Sequence, residues 1–188
     1  MTVRRSPLDL TITATTGKPF IPYLRRHLVA AHALLRPPLV ELSLALVGDK
    51  RMADLHLRFL NLPGPTDVLT FPLELDRRGR RVGGEVVVCV PEARRRSRQE
   101  GTELRRELLL YALHGLLHLS GYDDQTDSGF AAMHRTEDSI LTRLGIGPVF
   151  SAGREPAGRE PAGRSLGAPG APRTSRTSRG ARAARRAD

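Results

Sequence analysis

An α+β fold is predicted, a mixed β-sheet of about four strands with helices packed over it, and three observations predict it. Apolar or alternating runs at residues 8–13, 40–47, 68–71 and 85–90 read as strands, and helical runs alternate with them imperfectly. The longest helical run, residues 103–119, contains no Pro and a single Gly; Leu104, Leu108, Tyr111, Ala112 and Leu116 recur at helical spacing, so a mostly buried central helix is expected. The third observation is a change of character at Gly145, beyond which the chain is rich in Arg, Ala, Gly and Pro. Together these divide the chain into a domain over residues 1–148 and a disordered basic tail over 149–188.

Taken in order, residues 8–13 alternate apolar and polar and form a short strand. Residues 20–35 show helical periodicity and stop before Arg36-Pro37-Pro38, where proline forbids continuation. In residues 40–47, Val40, Leu42, Leu44 and Leu46 alternate with Glu41, Ser43 and Ala45, the pattern of a half-buried strand. Asp49 is placed as the cap of a helix running to about residue 60, with Met52, Leu55 and Phe59 on one face. Residues 61–65 hold two Pro and a Gly and form a loop. The strands at 68–71 and 85–90 flank a polar, hairpin-like segment at 76–81. Pro91 opens a basic helix through Arg98, the long apolar helix follows, and residues 127–144 close the domain as a last helix.

Composition narrows the partners. Apolar residues make up 39% of 188, enough for one core once the tail is set aside. No run approaches a membrane span, and the start is not followed by a continuous apolar segment like a signal peptide's, so a cytoplasmic protein with no membrane partner is expected. The one cysteine, Cys89, has no internal disulfide partner and reads as a small buried apolar residue. The net charge of +10 favours phosphate-bearing partners, although 28 Arg against two Lys also fits a general compositional bias. Within the tail, Ala-Gly-Arg-Glu-Pro recurs at 152–156 and 157–161, a period too short and too polar for a solenoid. It is either a solvated appendage or a source of non-specific RNA affinity.

The chemistry concentrates in His114-Gly115-Leu116-Leu117-His118-Leu119-Ser120-Gly121-Tyr122-Asp123-Asp124. Residues four apart on a helix share a face, so His114 and His118 reach one point. Gly121 supplies a left-handed turn that closes the helix, and Asp124 follows. Two imidazoles and a carboxylate make three ligands for one divalent ion and leave a fourth position for water, the arrangement of catalytic zinc. The plainer alternative is two ordinary helical histidines and a turn aspartate. The spacing His-x-x-x-His-x-x-Gly-x-x-Asp also matches metalloprotease helices, which place a Glu general base after the first His; Gly115 stands there instead. His134 is a reserve ligand on a helix where an exposed side chain is expected, and His27, His32 and His56 have no partner at ligand spacing.

The His114–Asp124 motif resembles the signature of the YbeY family of metal-dependent, single-strand-specific endoribonucleases. Two further blocks resemble the same family, Pro65-Thr66-Asp67-Val68-Leu69-Thr70-Phe71-Pro72 and Gly84-Glu85-Val86-Val87-Val88, and the likeness spans about residues 8–147. The resemblance implies an endoribonuclease of rRNA processing, small-subunit rRNA 3′-end maturation and ribosome quality control. Its partners would be single-stranded rRNA and the ribosome or its small subunit. It implies one Zn2+ per chain, with other divalent ions as alternatives, held by His114, His118 and Asp124, which are also the catalytic residues. Two positions depart from the family pattern: Asp124 stands where His is usual, and Leu60 stands where an Arg is common. Arg58 is the nearby substitute, and Arg94, Arg95 and Arg98 are candidate RNA contacts, against the plain reading of a solvated helix face. The expected chemistry is attack on phosphorus by an ion-acidified water or a ribose 2′-OH, with the ion and nearby Arg stabilising the charge that develops. A metallopeptidase-like hydrolase and a non-catalytic ribosome-assembly factor with a structural ion are the alternatives.

Overall fold

The structure, a computed structural model, describes residues 8–149. Strands β1 (Asp9–Ala14), β2 (Glu41–Val47), β3 (Val68–Leu75) and β4 (Arg81–Cys89) alternate with helices α1 (Ile21–Leu35), α2 (Asp49–Leu60), α3 (Val90–Gln99), α4 (Leu104–Leu119) and α5 (Asp127–Arg143). The sheet order is β1-β2-β4-β3, with β1–β2 and β2–β4 parallel and β3–β4 an antiparallel hairpin. This is the mixed four-stranded α+β sheet the alternation of elements predicts. Residues 150–188, where the basic tail is expected, lie outside the described residues.

Register decides which side chains meet which helix. Ile12, Leu44, Val86 and Thr70 form one row across the sheet and face the same side, while Thr11, Ser43, Glu85 and Phe71 form the next row on the other. The first side carries the main core: Leu42, Leu44, Leu46, Val86 and Val88 pack against Leu24 and Leu28 of α1 and against α4. On the second side a smaller core gathers Val47, Leu69, Val87 and Cys89 around Met52 of α2. Because α4 is covered by α1, α3, α5 and the sheet, nearly every residue from Glu107 to Leu119 is buried. That explains an apolar pattern running round the whole helix instead of along one stripe.

The contact of α4 with the sheet passes through Gly115. A Cβ built there would lie 2.6 Å from Cγ1 of Val86 and 3.2 Å from the Thr70 hydroxyl. Val86 is fully buried and β-branched, so it cannot swing aside. Any side chain at 115 would therefore lift the helix that carries both predicted ligands.

Several expectations change in detail. The N-cap of α2 is Gly48; Asp49 lies in the first turn, where its carboxylate accepts Arg95 at 2.7 Å and the Cys89 thiol at 3.4 Å. Those donors, Arg95 foremost, hold Asp49 below the usual carboxylate range. Val40 precedes β2 and is exposed, and Phe59 is 42% exposed because α2 covers only part of its sheet face; it leans edge-on against Phe71. β3 and β4 are longer than the apolar runs because the polar segment continues the hairpin. Asp76 closes the turn by accepting the Arg78 and Arg80 N–H groups. Val90 begins α3 instead of ending β4. His27, His32 and His56 each face a backbone carbonyl, those of Tyr23, Leu39 and Gly64. No helix among the described residues is long and apolar enough to cross a membrane.

Two outcomes are expected. Gly115→Ala gains about 1 kcal/mol of helix propensity but overpacks Val86 at a cost of about 1–3 kcal/mol, so thermal denaturation should show a lowered Tm. Burial, aided by Asp49, pushes the Cys89 thiol up to about 12, so iodoacetamide at neutral pH should label Cys89 only after the protein is unfolded.

Candidate metal centre

The site is assembled where α4 ends. His114 and His118 lie one turn apart with ring centroids 4.7 Å apart and planes at 85°, and their Nε2 atoms approach to 3.1 Å. The helix then closes: Ser120 N–H reaches the carbonyls of Leu116 and Leu117, Gly121 adopts φ 101°, and Tyr122 N–H returns to the Leu117 carbonyl. That reversal brings Asp124 over the rings, with carboxylate oxygens 3.7 Å from His114 Nε2 and 3.9 Å from His118 Nε2. Asp123 instead accepts the Gln125 N–H, a local turn role.

The far side of each ring is tied down. His118 Nδ1–H donates to the Tyr122 carbonyl at 3.2 Å. His114 Nδ1–H donates to Oε1 of Glu137, 2.8 Å away on α5. Oε2 of the same carboxylate accepts Nδ1–H of His134 at 2.6 Å. A carbonyl and a carboxylate only accept, so these bonds fix both ligand rings as Nδ1–H tautomers and leave both Nε2 lone pairs pointing at each other. His134 is therefore neither a reserve ligand at the cluster nor an exposed helical residue. It is mostly buried, wedged between Glu137 and the Phe130 ring.

Electrostatics follow from the same contacts. Burial works against charge on His114, but the hydrogen bond and charge of Glu137, with Asp67 and Asp124, outweigh it and raise its pKa above the ordinary value. His118 is depressed, by burial first and by the His114 charge second. Burial would raise Glu137, yet the two imidazole N–H groups hold it below the ordinary carboxylate value. The pair thus accepts one positive charge readily and resists a second.

This donor set fits a divalent ion. Two converging lone pairs and a carboxylate offer only acceptors, which a cation satisfies and a neutral cluster does not. Tetrahedral zinc with bonds of roughly 2.0–2.1 Å has ligand–ligand edges of about 3.3 Å, and the three separations of 3.1, 3.7 and 3.9 Å bracket it. The three donors are also the only such cluster among the described residues.

The suggested arginines lie elsewhere. Arg95 is bound to Asp49 and Glu92, Arg58 lies over the Phe59 ring, and Arg94 and Arg98 are exposed on α3. None of the four lines the cavity beside His118 and Asp124; Arg81 does. Thr66 and Asp67 make a local turn, the Asp67 carboxylate accepting the Thr66 hydroxyl and the Val68 N–H. The residue the sequence reading missed is Glu137. Its signal was present: Met133, Glu137, Ile140 and Leu141 form the buried stripe of α5, and a carboxylate inside an apolar stripe needs a buried partner.

Fold and donor set define an α+β protein with a candidate single-ion centre on its central helix, a design suited to hydrolytic chemistry. The chain belongs to the family described as Endoribonuclease YbeY, whose model matches residues 22–145. The Endoribonuclease YbeY of Frankia alni is 36% identical over 143 residues, covering 71% of this chain and 79% of that protein. That of Thermobifida fusca is 40% identical over 116 residues, covering 58% and 75% respectively. A solution structure of a Thermotoga maritima protein matches with a TM-score of 0.53 at 25% identity, covering 80% of this chain and 99% of that one.

Replacing Glu137 by Gln preserves shape but supplies one acceptor oxygen in place of two, so one of the two imidazole N–H groups faces an NH2 donor. Divalent-metal affinity, measured by competition with a chromophoric chelator, should fall by about 10–100-fold while the far-UV circular dichroism is unchanged.

Proposed function

We propose that this chain is a metal-dependent endoribonuclease of rRNA processing that cuts single-stranded RNA at phosphodiester bonds. Membership of a family described by that activity supports the reaction class. One structural observation carries the site: three acceptor groups converge while both imidazole Nδ1 atoms are already committed elsewhere. His114, His118 and Asp124 are the residues proposed to hold one ion per chain. Zinc is the first choice, since two imidazoles and a carboxylate leave its fourth position open. The carboxylate of Asp124, in place of a neutral ring, adds negative charge and makes harder ions such as manganese more competitive.

When bound, such an ion supplies Lewis acidity towards a phosphate oxygen and an acidified water. The protein's own contribution is orientation. Glu137 and the Tyr122 carbonyl turn both Nε2 atoms inwards, and the Gly121 turn holds Asp124 against them. Gly115 leaves no carboxylate where a peptidase of this spacing keeps its base, which favours phosphodiester over peptide cleavage. A purely structural ion would be enclosed by four protein donors, whereas three are found among the described residues.

Residues 1–148 are proposed as the catalytic domain and 149–188 as a basic appendage with general RNA affinity. The ribosome or its small subunit is the proposed partner and the cytoplasm the proposed location, where rRNA is processed. Arg94 and Arg98 remain candidate peripheral phosphate contacts.

The test compares wild type with His114→Ala and His118→Ala, using labelled single-stranded rRNA, casein and a chelator. Wild type should cut the RNA, spare casein and stop when chelated; each variant should lose bound metal and RNA cleavage while keeping its circular dichroism spectrum. Normal cleavage by either variant would place the active site elsewhere.

A further inference from the structure

The β3–β4 hairpin crosses beside the metal centre and carries Arg77, Arg78, Arg80 and Arg81 around a single turn. Arg81 is the first residue of β4, paired across the hairpin with Leu75, so its backbone sits on a strand and not in a loop. Its guanidinium reaches over to the end of α4 and donates one N–H to the carbonyl of His118. Arg81 also lines the cavity that it shares with His118, Tyr122, Asp123 and Asp124. The other two outward-pointing cations of the turn, Arg77 and Arg78, are exposed, and Arg80 is paired with Asp76 at 2.7 Å.

Charge decides what this cavity can accept. Asp123 and Asp124 bring two negative charges, which a divalent ion only neutralises; the sign turns positive because Arg81 is present. Size points the same way. At about 110 Å³ the cavity is far below the roughly 300–1,000 Å³ of pockets that enclose small molecules. A notch of that size takes up a phosphodiester group of a polymer passing over it, not a whole nucleoside. A planar guanidinium with several free donors matches a phosphate bidentately.

We infer that Arg81 is the phosphate-contacting residue of this active site, and that Arg77 and Arg78 extend the same contact outwards, making the β3–β4 hairpin the arm that leads single-stranded RNA across the metal centre. This rests on the nuclease reading and deepens it. Leu60, at the end of α2, carries no charge, and Arg81, at the start of β4, is the cation that lines this cavity.

The experiment measures binding of a 2′-O-methyl oligonucleotide, checked by gel to stay uncut, to the full chain, loaded with zinc, across a series of salt concentrations. Bound metal is measured in parallel. Arg81→Ala should weaken binding about tenfold and lower the slope of log affinity against log salt by about 0.7, the loss of one single-strand phosphate contact, with metal content unchanged. Arg81→Lys should restore the slope but only part of the affinity, since an ammonium is a point charge and lacks the fork. The Arg77→Ala/Arg78→Ala double variant should lower the slope without changing metal content. Unaltered affinity and slope in Arg81→Ala would overturn the inference. So would loss of metal in step with loss of RNA binding, which would make Arg81 a strut for the end of α4. If wild type itself neither binds nor cuts single-stranded RNA, the nuclease reading fails; if wild type cuts RNA and Arg81→Ala binds it normally, only the role of Arg81 fails.

Discussion

The site depends on one buried carboxylate. Glu137 is wholly enclosed between α4 and α5, where an ionised carboxylate without partners would cost several kcal/mol. Its two oxygens are each met by an imidazole N–H, from His114 and His134, and that keeps it charged in the interior. The consequence runs outward from there. With Nδ1 of His114 committed to Glu137, the other nitrogen must face Asp124 and His118, and the ring cannot flip without stranding a buried charge. Docking of α5 on α4 and orientation of the His114 ring are thus a single event.

A second constraint acts on the opposite side of α4. Gly115 brings the helix backbone against Val86 and Thr70, closer than any side chain would permit. The position that would carry a general base in a peptidase helix of this spacing is occupied by the floor of the fold. Packing and chemistry are therefore not separable here: the close approach that sets the depth of the histidines also removes a proton acceptor from beside them. What remains beside the donors is the cavity lined by Arg81, Tyr122, Asp123 and Gln125.

Asp124 also sets the charge of the site. An acidic third donor in Asp124 makes the centre more negative than three imidazoles would. Arg81, at the start of β4, brings a positive charge to the cavity beside it. By contrast, the basic helix α3 uses Arg95 to tie Asp49 and Glu92 together and stiffen the junction of α2 and α3. A run of arginine in the chain says how much charge there is; ion pairs with neighbouring elements decide how much remains for a ligand.

Much of this was determined by the chain alone, because it depends on local spacing. Four-residue separation places His114 and His118 together on any helix, Gly121 can turn left-handed wherever it stands, and apolar period predicts β2, α1 and α4 within a residue or two of their observed bounds. Other features arise only from contacts between elements distant in sequence. Glu137 lies 23 residues beyond His114 and becomes its partner only when α5 docks; Arg81 lies 37 residues before His118 and reaches its carbonyl only because β4 runs beneath the end of α4. The length of the β3–β4 hairpin was hidden for the same reason, since Asp76 and four arginines carry no apolar alternation and are held by antiparallel pairing. Periodicity reports which face of an element is buried; which polar groups meet across the interface is settled by tertiary packing, where a buried charge must find its counterpart.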